Sequence, residues 1–372
     1  MVQAILYGIP ISLYTGRARS YLIKAGIGYK EVSPIETRYR TEIVPAAGGR
    51  AGMPTVETES GEVIRDGAAI IDHYEALSGN QFSPKTPKQR ILSRLFDVIG
   101  AEGMLRPAMH YRWNFPEENL ALLKFHFQSA IPRGAGRAEK ADKATNRMRA
   151  AGVGFGVVPE TFSLVEDLYG EWLTRLNAHF AAYPYLFGGK PSIGDFGMIA
   201  PLYGHLGRDP KPLALMQANG VQLYRWVERM NRPELDIGEF EDQSGDYLWD
   251  DEIPDTLIAL LSQIAIDFVP ETVAAADCIN NWIAQQDSLL PGTEVARGVG
   301  QARFELRGTT VTALAQPYRF YLLQRAQDLF ESLTGKEQQD VTALLDACDM
   351  SDLLTTKLSR RIGRGNNLEV WQ

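Results

Sequence analysis

The chain has 372 residues, 45% of them hydrophobic, with 38 Lys and Arg against 46 Asp and Glu and a formal net charge of −8. That length allows two domains and an appendage, each with a sizeable core. The acidic balance argues against a nucleic-acid binder, which needs a basic stripe to displace counterions from phosphates. Two cysteines, Cys278 and Cys348, lie far apart in the C-terminal third; they give neither a disulfide framework nor a metal-ligand cluster, and they fit a reducing compartment. No apolar stretch of membrane-spanning length is read, and the first ten residues read as a strand rather than a signal peptide. A cytoplasmic protein without membrane contact is the expectation.

Gln3 to Gly8 reads as a strand with few polar residues on either face, so it is expected to be buried on both sides. After the loop Gly8-Ile9-Pro10-Ile11, Ser12 is placed to cap a helix starting at Leu13 or Tyr14 and ending near Gly26. Tyr29 to Val32 is a second strand. A Gly-rich loop, Ala46 to Gly52, leads to Met53-Pro54, then a strand from Thr55 to Thr58, a polar hairpin at Glu59-Ser60-Gly61-Glu62 and a short strand at Val63-Ile64. Arg65-Asp66-Gly67 opens a helix that stops near Gly79. The order β-α-β then β-β-α predicts a thioredoxin-like α/β domain over residues 1–80, built on a mixed four-stranded sheet.

Pro54 has no N–H for a ladder and belongs at a strand's first residue; an X-Pro bond in so tight a turn is a candidate for the cis form. The Met53 N–H and C=O are then expected to face outward and pair with an extended peptide. Asp66 offers an acceptor for an amine, and the first N–H groups of its helix offer a nest for a carboxylate. Together these features predict a site for a small peptide with charged ends.

Phe82 to Pro87 is a Pro-rich linker, after which residues 88–235 read as all-helical: Lys88 to Gly103, Arg106 to Trp113, Asn119 to Ala130, Thr161 to Ala182 and Val221 to Met230. The basic stretch from Pro132 to Arg149 is a solvated face or a flap that attracts an anion. Ala151 to Gly156 lacks the spacing and the preceding strand of a dinucleotide fingerprint, and reads as a connector. Ser192-Ile193-Gly194-Asp195 is a capping-type box heading a buried helix that Pro201 should kink. His205 and Asp209 are read as satisfied core or capping groups. Residues 236–372 form a mostly helical extension, with an acidic excursion from Glu234 to Glu252 leading into it. Helices are expected at Pro254 to Asp267, Pro270 to Gln285 and Tyr318 to Leu333, and a hairpin-like pair at Ala302 to Val311. Lys336 to Cys348 is read as a last helix before a basic tail. The extension is a third subdomain, a dimer arm or a cover over the pocket.

Four pieces in order, Leu6-Tyr7-Gly8-Ile9-Pro10-Ile11-Ser12, Met53-Pro54-Thr55-Val56, Arg65-Asp66-Gly67-Ala68-Ala69-Ile70-Ile71 and Lys190-Pro191-Ser192-Ile193-Gly194-Asp195-Phe196, resemble the glutathione transferase family over about residues 1–235. The resemblance implies a thioredoxin-like domain followed by an all-helical domain, with glutathione as co-substrate, no metal, and a homodimer. It implies glutathione binding by Met53, Pro54, Asp66, Gly67 and Arg50. Ser12 is the candidate catalytic hydroxyl, stabilising the thiolate by a hydrogen bond at the positive end of a helix; Tyr7, Tyr14 and Thr15 are the alternatives, and Ser12 also reads as a simple N-cap. Met109, Tyr111 and Trp113 are expected to hold a small apolar electrophile, which suits detoxification. Many family members carry Glu or Gln followed by Ser where this chain has Asp66-Gly67, a loss of one hydrogen bond of about 0.5–1.5 kcal/mol. With no Cys in Ser12-Leu13-Tyr14-Thr15, thiol-disulfide exchange ranks low. The competing expectation is a non-catalytic binding or assembly module that works through the extension.

Overall fold

In the computed structural model, which describes residues 3–372 and leaves residues 1 and 2 outside, alternation sorts the first strand. In β1 (Ala4–Tyr7), Ala4 and Leu6 join the main core with Leu22 and Val56, while Ile5 and Tyr7 turn to the opposite face with Val32, Tyr39 and Ile43. Ser12 caps α1 (Leu13–Lys24), its Oγ accepting the Thr15 N–H at 3.3 Å. β2 (Tyr29–Val32) runs parallel to β1, as a helical crossover requires. β3 (Thr55–Glu57) pairs antiparallel with β1 and with β4 (Val63–Arg65), giving the order β2-β1-β3-β4. The Met53–Pro54 peptide bond that leads into β3 is cis. α2 (Gly67–Ser78) closes the unit and ends on Gly79 in the left-handed region.

The second layer is helical: α3 (Pro87–Val98), α4 (Leu105–Trp113), α5 (Pro116–Ser129), α6 (Arg137–Ala150), α7 (Phe162–Ala182), α8 (Ile193–Gly204), α9 (Pro210–Asn219) and α10 (Val221–Met230). α8 is buried almost throughout. A Cβ on Gly194 would stand 2.9 Å from the Ser93 carbonyl of α3, so a residue without a side chain lets the two helices approach backbone to backbone. The capping box at the head of α8 is a buried junction. Asp195 accepts the Ser192 N–H (2.8 Å) and hydroxyl (2.9 Å), the Leu186 N–H (3.2 Å) and the Trp226 indole N–H (3.2 Å). His205 and Asp209 are likewise satisfied internally, by the Ala108 carbonyl and by Arg112.

The extension consists of α11 (Asp255–Ala284), β5 (Gln301–Leu306), β6 (Thr309–Leu314), α12 (Tyr318–Ser332), α13 (Gly335–Ala347), β7 (Ile362–Gly365) and β8 (Leu368–Trp371). Three expectations are corrected here. The two helices split at Pro270 are one helix of 30 residues. Leu257, Leu261 and Ile264 before the proline and Ala275, Ala276 and Ile279 after it bury in the same core, and that packing outweighs one lost backbone hydrogen bond. This helix also contains an 18-residue window of mean hydropathy 1.5, long and apolar enough by composition to cross a membrane. In the fold 56% of that window is buried, so its apolarity serves the core. Third, the basic tail forms the hairpin β7–β8, turning through Asn366 and Asn367 at φ 46° and 63°.

One contiguous apolar cluster runs from Ala4 through α3, α8 and α11 to Trp371, so the extension shares the core of the first two layers. Because Asp195 ties the α7–α8 connection to α10, Asp195→Ala leaves several buried donors unpaired. We expect a loss of about 2–4 kcal/mol, read as a lower urea midpoint; an unchanged midpoint would show that the box carries no stability.

Candidate functional site

The N-termini of α1 and α2 meet at the cis-proline turn. A Cβ on Gly67 would lie 3.4 Å from Cδ of Arg17 and 3.7 Å from both Pro54 Cγ and the Tyr14 carbonyl. These are ordinary van der Waals distances, and they place Gly67 beside Arg17, Pro54 and the head of α1. Neither the N–H nor the C=O of Met53 has a hydrogen-bond partner among the described residues. The backbone edge that an extended peptide would use is therefore uncommitted. Asp66 sits at φ 88°, with its N–H donated to the Pro54 carbonyl at 3.1 Å.

The carboxylate nest expected at α2 is already filled by the chain itself. Asp66 Oδ1 accepts the N–H groups of Ala68 (3.0 Å) and Ala69 (3.3 Å), so the residue caps its own helix. The Tyr318 hydroxyl donates to the same carboxylate at 2.9 and 2.8 Å. Burial and the Asp66 charge hold the Tyr318 phenol well above its ordinary pKa, so it stays a donor. Arg50, expected to meet a peptide carboxylate, instead pairs with Glu294 of the extension at 2.8 Å. Arg65 pairs with Glu369 at 2.8 Å and donates to the Asn367 carbonyl at 2.9 Å. Asn367 in turn donates to the Val63 carbonyl at 2.8 Å. Thus the loop before β5, α12 and the β7–β8 hairpin reach Arg50, Asp66 and Arg65 around the turn. Behind them Arg17 is buried against Asp97, and Arg325 of α12 pairs with Asp72 of α2. No local signal announces Tyr318, Glu294 or Glu369 as partners of this site.

The four candidate hydroxyls separate by environment. Tyr7 accepts from Arg38 (2.7 Å), faces Glu57 (3.4 Å) and lies on the sheet face away from α1. Tyr14 points into the helical layer, 3.3 Å from Glu102 and 3.4 Å from the Ala101 carbonyl. Burial, with the charges of Glu102 and Asp66, pushes its phenol well above the ordinary range. Thr15 is fully buried against Gly8. Ser12 is half-buried at a helix N-terminus, accepts from the Thr15 N–H and keeps its own proton uncommitted among the described residues.

Met109 and Trp113, one helical turn apart on α4, line a cleft of about 660 Å³ together with Val157 and Phe162. Tyr111 does not join them. Two residues from each, it projects to the opposite face and packs against Phe115 (ring centroids 5.4 Å) and Tyr169 (4.9 Å) in the core. Residues 8–15 and 50–67 contribute nothing to the lining of this cleft. Phe155 packs both on the Met109–Trp113 cluster and on the one holding Leu13, between the cleft and the head of α1.

The order of strands, the helical second layer and the turn at Met53–Pro54 define a thioredoxin-like domain joined to an all-helical one. Residues 6–82 match the family described as glutathione S-transferase, N-terminal domain. That match covers the thioredoxin-like domain; the all-helical layer and the C-terminal extension follow it. Among solved structures the chain is similar to a glutathione S-transferase from Rhodospirillum rubrum F11, at 15% identity, covering 69% of this chain and 99% of that one with a TM-score of 0.40. It is also similar to the beta-etherase LigF from Sphingobium sp. strain SYK-6, at 17% identity, 62% and 95% coverage and a TM-score of 0.41. A third is the theta class glutathione S-transferase from Xanthomonas axonopodis pv. citri with glutathione bound, at 19% identity, 62% and 92% coverage and a TM-score of 0.37. No curated protein sequence matches the chain.

Glu102 lies between Tyr14 and the extension, where burial raises its carboxyl from 4.5 to about 7 against the opposing pull of Arg319. The folded value stands above the unfolded one, so the unfolded chain releases this proton first as pH rises. Stability is then lost between about pH 4.5 and 7, by an amount on the order of 3 kcal/mol. Glu102→Gln should match the wild type at pH 4 and exceed it at pH 8 in chemical unfolding; a difference independent of pH would refute this account.

Proposed function

We propose that the chain is a glutathione transferase-fold binding module whose peptide site is held shut by its own extension, and that it works through its helical layer and extension instead of through a thiol. The observation that supports this is the Asp66 carboxylate, which caps Ala68 and Ala69 while it receives the Tyr318 hydroxyl. Glutathione would need that carboxylate for its amine and those N–H groups for its γ-glutamyl carboxylate. To enter, it has to displace Tyr318 and meet an Arg50 already paired with Glu294. Each contact is worth only about 0.5–1.5 kcal/mol, but a competitor on the same chain acts at an effective concentration of millimolar or more. A cytoplasmic setting, where glutathione is a soluble peptide, suits this reading.

The uncommitted Met53 edge and the free Ser12 proton favour one second reading, a conjugating glutathione transferase. In it Ser12 hydrogen-bonds the thiolate, a small apolar electrophile is the second substrate, and two copies form a homodimer.

Calorimetric titration separates the two. The full chain should give no heat with glutathione up to about 10 mM, weaker than any useful affinity, whereas Tyr318→Ala should bind. Micromolar binding by the wild type, with conjugation of a chloronitrobenzene that Ser12→Ala slows, would sink the module reading and establish the enzyme.

A further inference from the structure

Two stretches of opposite charge lie outside the peptide site, at opposite ends of the helical layer. Between residues 120 and 150 the chain carries seven Lys and Arg against two acids; between residues 234 and 252 it carries nine Asp and Glu and no Lys or Arg. The first stretch belongs to the α5–α6 hairpin, which is based where α4 ends and α7 begins, with His110 packed on Phe162. The second packs at the other end of α7. There the Leu248 N–H donates to the Phe187 carbonyl at 2.8 Å, and Asp251 accepts the Lys88 and Gln89 N–H groups at the head of α3. With 21 residues rising about 1.5 Å each, α7 sets the two stretches roughly 30 Å apart.

Each stretch presents a face without a partner. α6 buries only Ala141 and Thr145. Lys140, Lys143 and Arg147 form a stripe on the side away from that pair, exposed and without an ion pair among the described residues. On α5, which packs beside α6, Phe125 is 65% exposed. In the acidic stretch, Lys190, Arg225 and Arg229 take up Asp246 and Glu239. Asp250 and Glu252 stay exposed and unpaired among the described residues, and between them and Leu248 stands Trp249, 88% exposed. The bonds made by Leu248 and Asp251 fix the backbone on either side of that indole. An indole face flanked by carboxylates attracts Lys and Arg, and exposed tryptophan is among the residues that most often anchor an interface.

We propose that α6 of one copy docks on the Trp249 loop of a second, its basic stripe meeting Asp250 and Glu252 and one cation covering the indole. A second copy is the occupant that the charges favour. It brings the complementary surface at the same concentration, whereas a nucleic acid or an anionic membrane would meet a chain of net charge −8. Because the two surfaces differ and lie at opposite ends of the molecule, the contact is heterologous and adds copies head to tail. It uses neither Ser12 nor Asp66, so it does not rest on the state of the peptide site.

Sedimentation velocity of the full chain tests this. At about 50 mM salt the average mass should rise with concentration between about 1 and 100 μM, and about 0.5 M salt should return the monomer. Lys140→Glu with Lys143→Glu, and Trp249→Ala with Glu252→Lys, change exposed side chains only. Each pair should keep the wild-type circular dichroism and weaken association at least tenfold, by roughly 1.4 kcal/mol or more. Mixed in equal amounts, the two variants should form a heterodimer that grows no further, since each retains the surface the other lacks. The proposal is overturned if the wild type stays monomeric at low salt, if either variant associates like the wild type, or if the mixture stays monomeric. Binding of the wild type to phosphatidylserine vesicles without self-association would overturn it in favour of a lipid surface.

Discussion

At φ 88° Asp66 occupies a backbone region that residues with a side chain seldom enter, at a cost of about 1–3 kcal/mol. Its surroundings hold it there. The N–H is tied to Pro54 across the turn, and the carboxylate ends the donor row of α2 and receives Tyr318 from the far end of the chain. One residue thereby joins the proline turn, the start of a helix and the extension. The same carboxylate thus accepts from two backbone N–H groups of its own helix and from a hydroxyl 252 residues away.

The extension is bound in by more than this contact. Arg106 of α4 meets Asp267 and Glu271 of α11, and Arg319 of α12 pairs with Glu271, all of them buried. Burial opposes the charge on both acids, and the two arginines offset it; for Glu271 they win, holding its carboxyl below the ordinary value. Removing one member of such a network strands a charge in the interior, which is far more costly than the pair is stabilising. With a continuous apolar core beneath it, this network makes the extension a structural part of the molecule.

Two regions with different chemistry result. Around Asp66 the polar side chains are paired within the chain, to partners distant in sequence, while the Met53 backbone has no partner among the described residues. Beside α4 the surface is apolar and concave, with Arg149 exposed at its edge. Phe155 packs on the apolar cluster of the cleft and on the one holding Leu13 at the head of α1.

Much of the first two layers was legible from the sequence because its determinants act over a few residues. Alternation in Ala4–Tyr7, the cap at Ser12, the glycines after α1 and α2, and the Ser192–Asp195 box are all local hydrogen-bond or side-chain patterns. Where local rules and packing disagreed, packing prevailed: Pro270 sits inside a continuous helix because both halves bury in one core, and Tyr111 faces that core while Met109 and Trp113 line a cleft. The strands of the tail were too short and too basic to stand out, though the Asn366-Asn367 pair was a turn signal. Tertiary structure alone decided the state of the candidate site. Tyr318 lies 252 residues from Asp66, Glu294 lies 244 from Arg50, and Glu369 lies 304 from Arg65. Such pairs depend on the whole core bringing distant segments within hydrogen-bonding range, and no pattern of neighbouring residues encodes that.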